Sequence, residues 1–389
     1  MIQPLKKHSK HSNKKPVVLA ILDGVGLAPP SDVNAVHLAK TPTLDRLFQG
    51  PLFRTLRAHG SAVGMPTDDD MGNSEVGHNA LGAGRVFSQG ASLVGEAVAT
   101  KDMFRTELWQ QLVGRVNVNQ STFHLIGLIS DGNVHSHMDH LKAMLVELSN
   151  DSVQRVRVHV LLDGRDVPAR SALTYVDQLE EWLYEINQSS QRDYQIASGG
   201  GRMLVTMDRY QAEWGMVETG WKTHVLGDAP TFGSAKEAIE SAYEDPDLID
   251  QYIPAFVIDD DNGEPIGAID DGDSVVLFNF RGDRAIELSM AFDDEVFPYF
   301  DRKRRPDVLY AGMMQYDGDL NIPTNYLVSP PNIDGSVAEY MCASGIKTLA
   351  ISETQKYGHV TFFWNGNKSG KISETLEDYV EIPSDTVPF

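Results

Sequence analysis

Cysteine is nearly absent: Cys342 is the single one in 389 residues. That excludes an internal disulfide framework and suits a reducing compartment. Long apolar runs are missing as well, and none approaches the ~20 residues that a membrane-spanning helix needs. Basic charge is scarce: 33 Lys and Arg stand against 55 Asp and Glu, a formal net charge of −22. A chain of that sign lacks the basic face expected of a nucleic-acid binder. An anionic substrate is not excluded, because a few arginines gathered in a cleft bind phosphate whatever the total charge. No full Walker A motif, GxGxxG run or zinc CxxC pair occurs, and GAGR at 82–85 is too short for a dinucleotide fingerprint. The one basic stretch holds Lys6, Lys7, Lys10, Lys14 and Lys15. The apolar run after it, VVLAIL, ends at Asp23 and is too short for the core of a signal peptide, so the stretch reads as a solvated arm.

What is present is a recurring unit, a short apolar run followed at once by a polar, glycine-bearing cluster. VVLAIL precedes DGVG, HLIGLIS precedes DGNVHSH, and VRVHVLL precedes DGRD. SVVLFNF precedes RGDR, and KTLAIS precedes ETQKYGH. Runs of this length rich in Val, Leu and Ile predict buried strands. Between them lie helical periods: Met138, Leu141, Met144, Leu145 and Leu148 share one face, and Leu173, Val176, Leu179, Leu183 and Ile186 share another. Strand–helix alternation over a chain this long predicts an α/β fold of two domains or more, with parallel sheets covered on both faces. In such sheets ligands gather at the carboxyl ends of the strands, where every one of these polar clusters falls. The acidic stretch DDDNGEPIGAIDDGD at 259–273 reads as an exposed loop or hairpin.

Several clusters bear chemistry. In MGNSEVGHNALGAGR, Ser74 lies between Gly72 and Gly77. Two readings stand: a helix N-cap in a turn, or a nucleophile exposed to substrate. Asp23 at the end of the first run suits a divalent metal or an Asx turn. His135 and His137 would face the same way on a strand, but in a loop they need not; imidazole also serves as a phosphate contact or proton donor. Arg165 beside Asp166, Arg202, Arg209, and Arg281 and Arg284 flanking Asp283 are each compatible with a surface ion pair. Together, after strands or beside glycines in an acidic chain, they read as a clamp for phosphate and carboxylate, which the planar guanidinium binds bidentately. Lys356 adds a point charge.

Taken in order, MGNSEVGH, SDGNVHSHMDHL, LLDGRDVPARSA, GGGRMLVTMDR, FNFRGDRA and ETQKYGHVTFFWNG resemble the cofactor-independent phosphoglycerate mutases of the alkaline phosphatase superfamily, from Val17 to about Gly366. The resemblance implies a phosphatase-like domain at 1–88 plus 333–389, interrupted by an α/β substrate-binding domain at 89–332. It implies that Ser74 takes the phosphoryl group and, with Asp23, ligates metal. It makes His135, Arg165, Asp166, Arg202, Arg209, Arg281, Arg284 and Lys356 the substrate-binding set, with Asp166 also transferring the proton at the glycerate hydroxyls. The implied reaction interconverts 3-phosphoglycerate and 2-phosphoglycerate through phosphoserine, in a cytoplasmic, glycolytic monomer. Two ions, Mn²⁺ by preference with Mg²⁺ or Co²⁺ as substitutes, are implied, and 2,3-bisphosphoglycerate, nucleic acid and membrane are not. A neutral serine is a weak nucleophile that a metal activates, and paired ions neutralise the transferring oxygens.

The departure from the family lies at the end. Family members continue with a DHGN-like Asp–His pair and further Asp and His metal ligands, whereas residues 367–389 contain no His. The chain is therefore expected to be a C-terminally truncated, inactive fragment that binds Mn²⁺ weakly. The alternatives are a non-catalytic phospho-acid-binding relative or another metal-dependent phosphatase or phosphomutase of the superfamily.

Overall fold

The computed structural model describes residues 2–6, 15–88, 90–209, 211–318, 320–330 and 333–385. Lys7, Lys10 and Lys14 of the basic arm, and the expected boundary positions 89 and 332, lie outside them.

The apolar runs build one sheet. Its strands are β1 (Phe123–Leu128), β2 (Arg155–Leu162), β3 (Asp193–Gly201), β4 (Thr231–Phe232), β5 (Phe256–Ile258), β6 (Ser274–Leu277), β7 (Leu309–Met314) and β8 (Tyr326–Val328). Their order across the sheet is β4-β5-β3-β2-β1-β6-β7-β8. Phe123 of β1 lies opposite Val156 of β2 on one side and Ser274 of β6 on the other, all parallel. Every residue of β1 is buried, as expected of a strand covered on both faces. The pairing departs from the parallel expectation between β3 and β5, which is antiparallel. Gly127 in β1 is required by packing: a Cβ there would lie 2.7 Å from the Phe278 ring.

The two predicted amphipathic helices form as Met138–Asn150 and Ala172–Ser190. In the first, all five residues of the predicted face are buried; in the second, Val176, Leu179 and Leu183 are buried, while Leu173 and Ile186 pack partly buried against the same core. That core runs from Ala91 to Val328. Outside this span, the clustered apolar core is Val63, Met65 and Val76 among the described residues. The acidic stretch turns back on itself, with Asp259 bridging Pro265 in antiparallel fashion.

Two predicted strands come out differently. VVLAIL at 17–22 is not a strand; Val17 is 95% and Val18 85% exposed. A strand needs a neighbour for its backbone groups, and this run has none among the described residues. KTLAIS does form a strand, β9 (Thr348–Glu353), but it pairs in parallel with β10 (Glu377–Ile382) in a separate two-stranded sheet. Leu349 and Ile351 there stay open to solvent.

Candidate active site

The carboxyl ends of β1, β2, β3 and β6 converge, and the loops that follow them carry His135, Asp163–Asp166, Arg202–Arg209 and Arg281–Arg284. Arg202 is the centre of this group and is 2% exposed. Its Nη1 donates to Asp163 Oδ1 at 2.7 Å and to Asp166 Oδ2 at 2.5 Å, and its Nη2 donates to His135 Nε2 at 2.7 Å. A guanidinium only donates, so His135 Nε2 is bare and its proton sits on Nδ1. Burial, and then the Arg202, Arg281, Arg284 and Arg209 charges, hold His135 neutral, well below the usual imidazole range. His135 Nδ1 lies 3.7 Å from Asp283 Oδ1. Neither it nor Arg202 Nε has a hydrogen-bond partner among the described residues. Two buried donors with no acceptor suit an incoming anion.

The other arginines surround this centre. Arg284 donates through Nη1 to the Met207 carbonyl, and burial and the neighbouring cations push its pKa down to about 10. Arg209 lies 3.8 Å from Asp283 and reaches Gln355 Oε1 at 3.4 Å. Arg281 pairs with Asp283 at 3.0 Å and with Glu75 at 3.1 Å. Arg165 stands apart, exposed and with no side-chain partner among the described residues, although its amide donates to Asp163.

Ser74 opens the helix Ser74–Ala83. The cap is Asn73, one residue earlier than the serine reading: Asn73 Oδ1 accepts from the Val76 amide at 3.1 Å. Ser74 is thereby free of capping, and its hydroxyl donates to Asp23 Oδ2. Gly72 lets this turn close, since a Cβ there would lie 2.2 Å from the Ala58 carbonyl oxygen. Lys356 places Nζ 2.5 Å from the same Asp23 oxygen, so this lysine meets the Ser74 end of the site. Burial alone would raise the Asp23 pKa; the Lys356 ammonium and the Ser74 hydroxyl overcome it and hold the carboxyl down to about 2. The Ser74 and arginine groups meet through Glu75, the residue after the serine, whose partner is Arg281. Burial outweighs the Arg281 charge and pushes Glu75 up to about 7. Beside this contact lies a cavity of about 520 Å³ lined by Asn73, Glu75, Asn133, Phe280, Arg281 and Asp283 among others.

His135 and His137 part company. His137 caps the helix Met138–Asn150, its Nδ1 accepting from the Asp139 amide, so the pair does not act as two ligands. The implied metal finds two oxygens, from Asp23 and Ser74; among the described residues no group of three or more His, Cys, Asp or Glu could hold an ion. The described donors do not complete the site, and no step below is routed through a metal.

Sequence reasoning passed over Asp163, Asp283 and Glu75 as site residues. Asp163 ends a strand just as Asp23 ends an apolar run, which was a usable signal; Glu75 follows the serine directly. Asn133, which binds Asp70 Oδ1 at 2.7 Å across the two parts of the chain, carried no signal.

Comparisons with known proteins show which family the chain resembles. The family described as BPG-independent PGAM N-terminus matches residues 94–318. A probable 2,3-bisphosphoglycerate-independent phosphoglycerate mutase of Leptospira interrogans is 56% identical over 387 residues, which are 99% of this chain and 70% of that protein. The 2,3-bisphosphoglycerate-independent phosphoglycerate mutase of Trypanosoma brucei brucei is 54% identical over 97% of this chain and 68% of its own length. That of Zea mays is 50% identical over 98% and 68%. Among solved structures, the Leishmania mexicana phosphoglycerate mutase at low cobalt concentration superposes with a TM-score of 0.90 and 54% identity, covering 94% of this chain and 67% of that one.

Proposed function

The chain belongs to the 2,3-bisphosphoglycerate-independent phosphoglycerate mutases, and from that membership we propose how its residues share the reaction. Ser74 Oγ attacks the phosphorus of 3-phosphoglycerate and leaves its proton with Asp23, which returns it when the phosphoryl group departs; the bond from phosphorus to the 3-oxygen breaks, the 3-oxygen takes a proton from Asp166, and phosphoserine and glycerate result. The glycerate turns and its 2-hydroxyl takes the phosphoryl group back, with Asp166 carrying the proton between the two glycerate hydroxyls. The observation that carries this reading is the Ser74 hydroxyl, uncapped at the head of a helix and bonded to Asp23 beside Lys356. A helix N-terminus favours an incoming phosphate.

His135, Arg165, Arg202, Arg209, Arg281 and Arg284 hold the glycerate carboxylate and the phosphate, and Lys356 balances Asp23 at the nucleophile. The two buried donors of His135 and Arg202 supply bonds that only an acceptor from outside completes. The separation between the core from Ala91 to Val328 and the small cluster around Val76 supports a substrate-binding domain at 89–332 inserted into a phosphatase-like one. Cobalt, named for the Leishmania enzyme, supports a divalent cation at Asp23 and Ser74, with Mn²⁺ the first ion to test. A cytoplasmic, glycolytic monomer fits this reading; no helix among the described residues is long and apolar enough to cross a membrane.

Acid-quenching the enzyme with 3-phosphoglycerate labelled at phosphorus tests the reading. Label is expected on Ser74 and lost in Ser74→Ala together with isomerisation. Isomerisation that survives in Ser74→Ala would sink it.

A further inference from the structure

Six buried side chains form an unbroken hydrogen-bonded line that the reaction above does not use. Asp273 Oδ2 meets His124 Nε2 at 3.1 Å, and His124 Nδ1 meets His159 Nε2 at 2.9 Å. His159 Nδ1 meets Ser198 Oγ at 2.7 Å, and Ser198 Oγ meets His224 Nδ1 at 2.7 Å. His224 Nε2 meets Thr206 Oγ1 at 3.0 Å. The line crosses β1, β2 and β3 and then the end of the helix Trp214–His224, and none of its members is more than 3% exposed.

Donor and acceptor counting gives it one direction. Asp273 accepts from the Thr122 and Asp270 amides as well, as a carboxylate does, so His124 Nε2 carries a proton. Neutral His124 then has a bare Nδ1, which accepts from His159 Nε2–H. His159 Nδ1 is bare and accepts from the Ser198 hydroxyl. Having donated, Ser198 accepts from His224 Nδ1–H, and the bare His224 Nε2 accepts from the Thr206 hydroxyl. The opposite direction needs a charged His124. Burial opposes that charge, as does the nearby Arg157 guanidinium, although Asp273 favours it.

The line ends at a position that needs an anchor. Thr206 has φ +69°, a left-handed backbone that a β-branched residue adopts only under constraint. Its amide donates to the Met216 carbonyl and its carbonyl accepts from the Asp208 amide, each at 3.0 Å. Gly220 allows the helix to lie on it, since a Cβ at Gly220 would fall 2.1 Å from Thr206 Oγ1. The next residue, Met207, offers the carbonyl that holds Arg284, and Arg209 follows in the same loop.

We propose that Thr206 is a positioning residue for Arg209 and Arg284, and that the line from Asp273 fixes its hydroxyl and so the kink that aims both arginines. The inference rests on the clamp reading given under the proposed function.

Two measurements test it. Nitrogen-15 spectra of the histidine rings are expected to show the proton on Nε2 of His124, Nε2 of His159 and Nδ1 of His224. The reverse assignment at His159 and His224 overturns the inference, whether or not any variant folds. Calorimetric titration with 3-phosphoglycerate then compares Thr206→Val, Thr206→Ser and Arg209→Ala with the parent. Thr206→Val keeps the branch and loses the hydroxyl, and is expected to weaken binding about tenfold. Thr206→Ser restores the hydroxyl and is expected to bind within about twofold of the parent. Parent-like binding by Thr206→Val while Arg209→Ala is weakened overturns the inference alone. Parent-like binding by Arg209→Ala overturns the clamp reading and this inference with it.

Discussion

The region from Ala91 to Val328 and the segments that flank it are built to different densities. In the first, β1 and β2 bury nearly every side chain and the helix Met138–Asn150 seats five apolar residues on the sheet. In the flanks, the helices Ala35–Leu38 and Pro42–Phe48 bury nothing, and Val17, Val18, Leu349 and Ile351 stay open. The arginines stand at strand ends of the dense part, and Ser74, Asp23 and Lys356 stand in the open one. Polar contacts join the two groups: Glu75 to Arg281, Arg209 to Gln355 and Asn133 to Asp70. The arginine group is therefore held by packing, whereas its alignment with Ser74 depends on polar contacts, which on the proposed reading an anionic substrate exchanges.

The sharpest contrast between the regions is between two ion pairs. Arg202 is 2% exposed and compensates both Asp163 and Asp166. Arg202→Ala leaves buried carboxylates unpaired and is expected to cost ~3–5 kcal/mol. Lys356 and Asp23 have side chains 42% and 37% exposed, so Lys356→Ala is expected to cost about 0–1 kcal/mol. Urea unfolding of both variants checks this. Equal losses would remove the distinction between a packed arginine group and an open Ser74 site.

The sequence showed the dense region more clearly than the open one, for a physical reason. A strand buried on both faces announces itself as a continuous apolar run, so β1, β2 and β6 could be placed from composition alone. VVLAIL carries the same signal, but a strand also needs a partner, and pairing is not written in the run itself. The arginines were legible as a set because they follow strands in an acidic chain. Their pairings were not, because Arg202 meets Asp163, Asp166 and His135 only once three strands lie side by side. The offset between Ser74 and the Asn73 cap lies within a single turn, finer than residue type resolves.

Acid is the second probe of the comparison. Burial holds His124, His135, His140, His159 and His224 in the dense region below the usual imidazole range, with His140 at about 4 and His224 at about 3; neighbouring cationic groups add to it at His135, His140 and His159, while Asp273 opposes it at His124. In the flanks His359 is likewise held to about 3. A depressed histidine gives its full stability above the unfolded pKa of ~6.5 and loses ~1.4 kcal/mol per pH unit below it. Glu75 and Glu287, both pushed up to about 7 by burial, act oppositely: their contribution is complete below ~4.5 and is lost as pH rises through 7. More histidines than glutamates titrate this way, so stability is expected to fall by a few kcal/mol between pH 6.5 and 5.5. Urea midpoints across that window check the sign; a flat or rising profile would mean that the buried histidines are already charged in the folded chain.

The smallest stability effect is expected at the contact between the two regions, where the functional effect should be visible. Glu75 faces Arg281, and its carboxylate occupies a guanidinium that the clamp reading assigns to substrate. Burial of Glu75 offsets much of what the pair gains, as its raised pKa records. Glu75→Gln keeps an acceptor for Arg281 and relieves the buried charge, so stability is expected to change by less than ~1 kcal/mol. The competing anion is gone, however, so 3-phosphoglycerate is expected to bind a few-fold more tightly, and most clearly above pH 7, where Glu75 is ionised in the parent. Calorimetry at pH 6 and pH 8 separates the two effects. A gain that is larger at pH 8 places the contact under substrate control; weaker binding at both pH values makes Glu75 a support for Arg281 instead, and the join between the regions a fixed one.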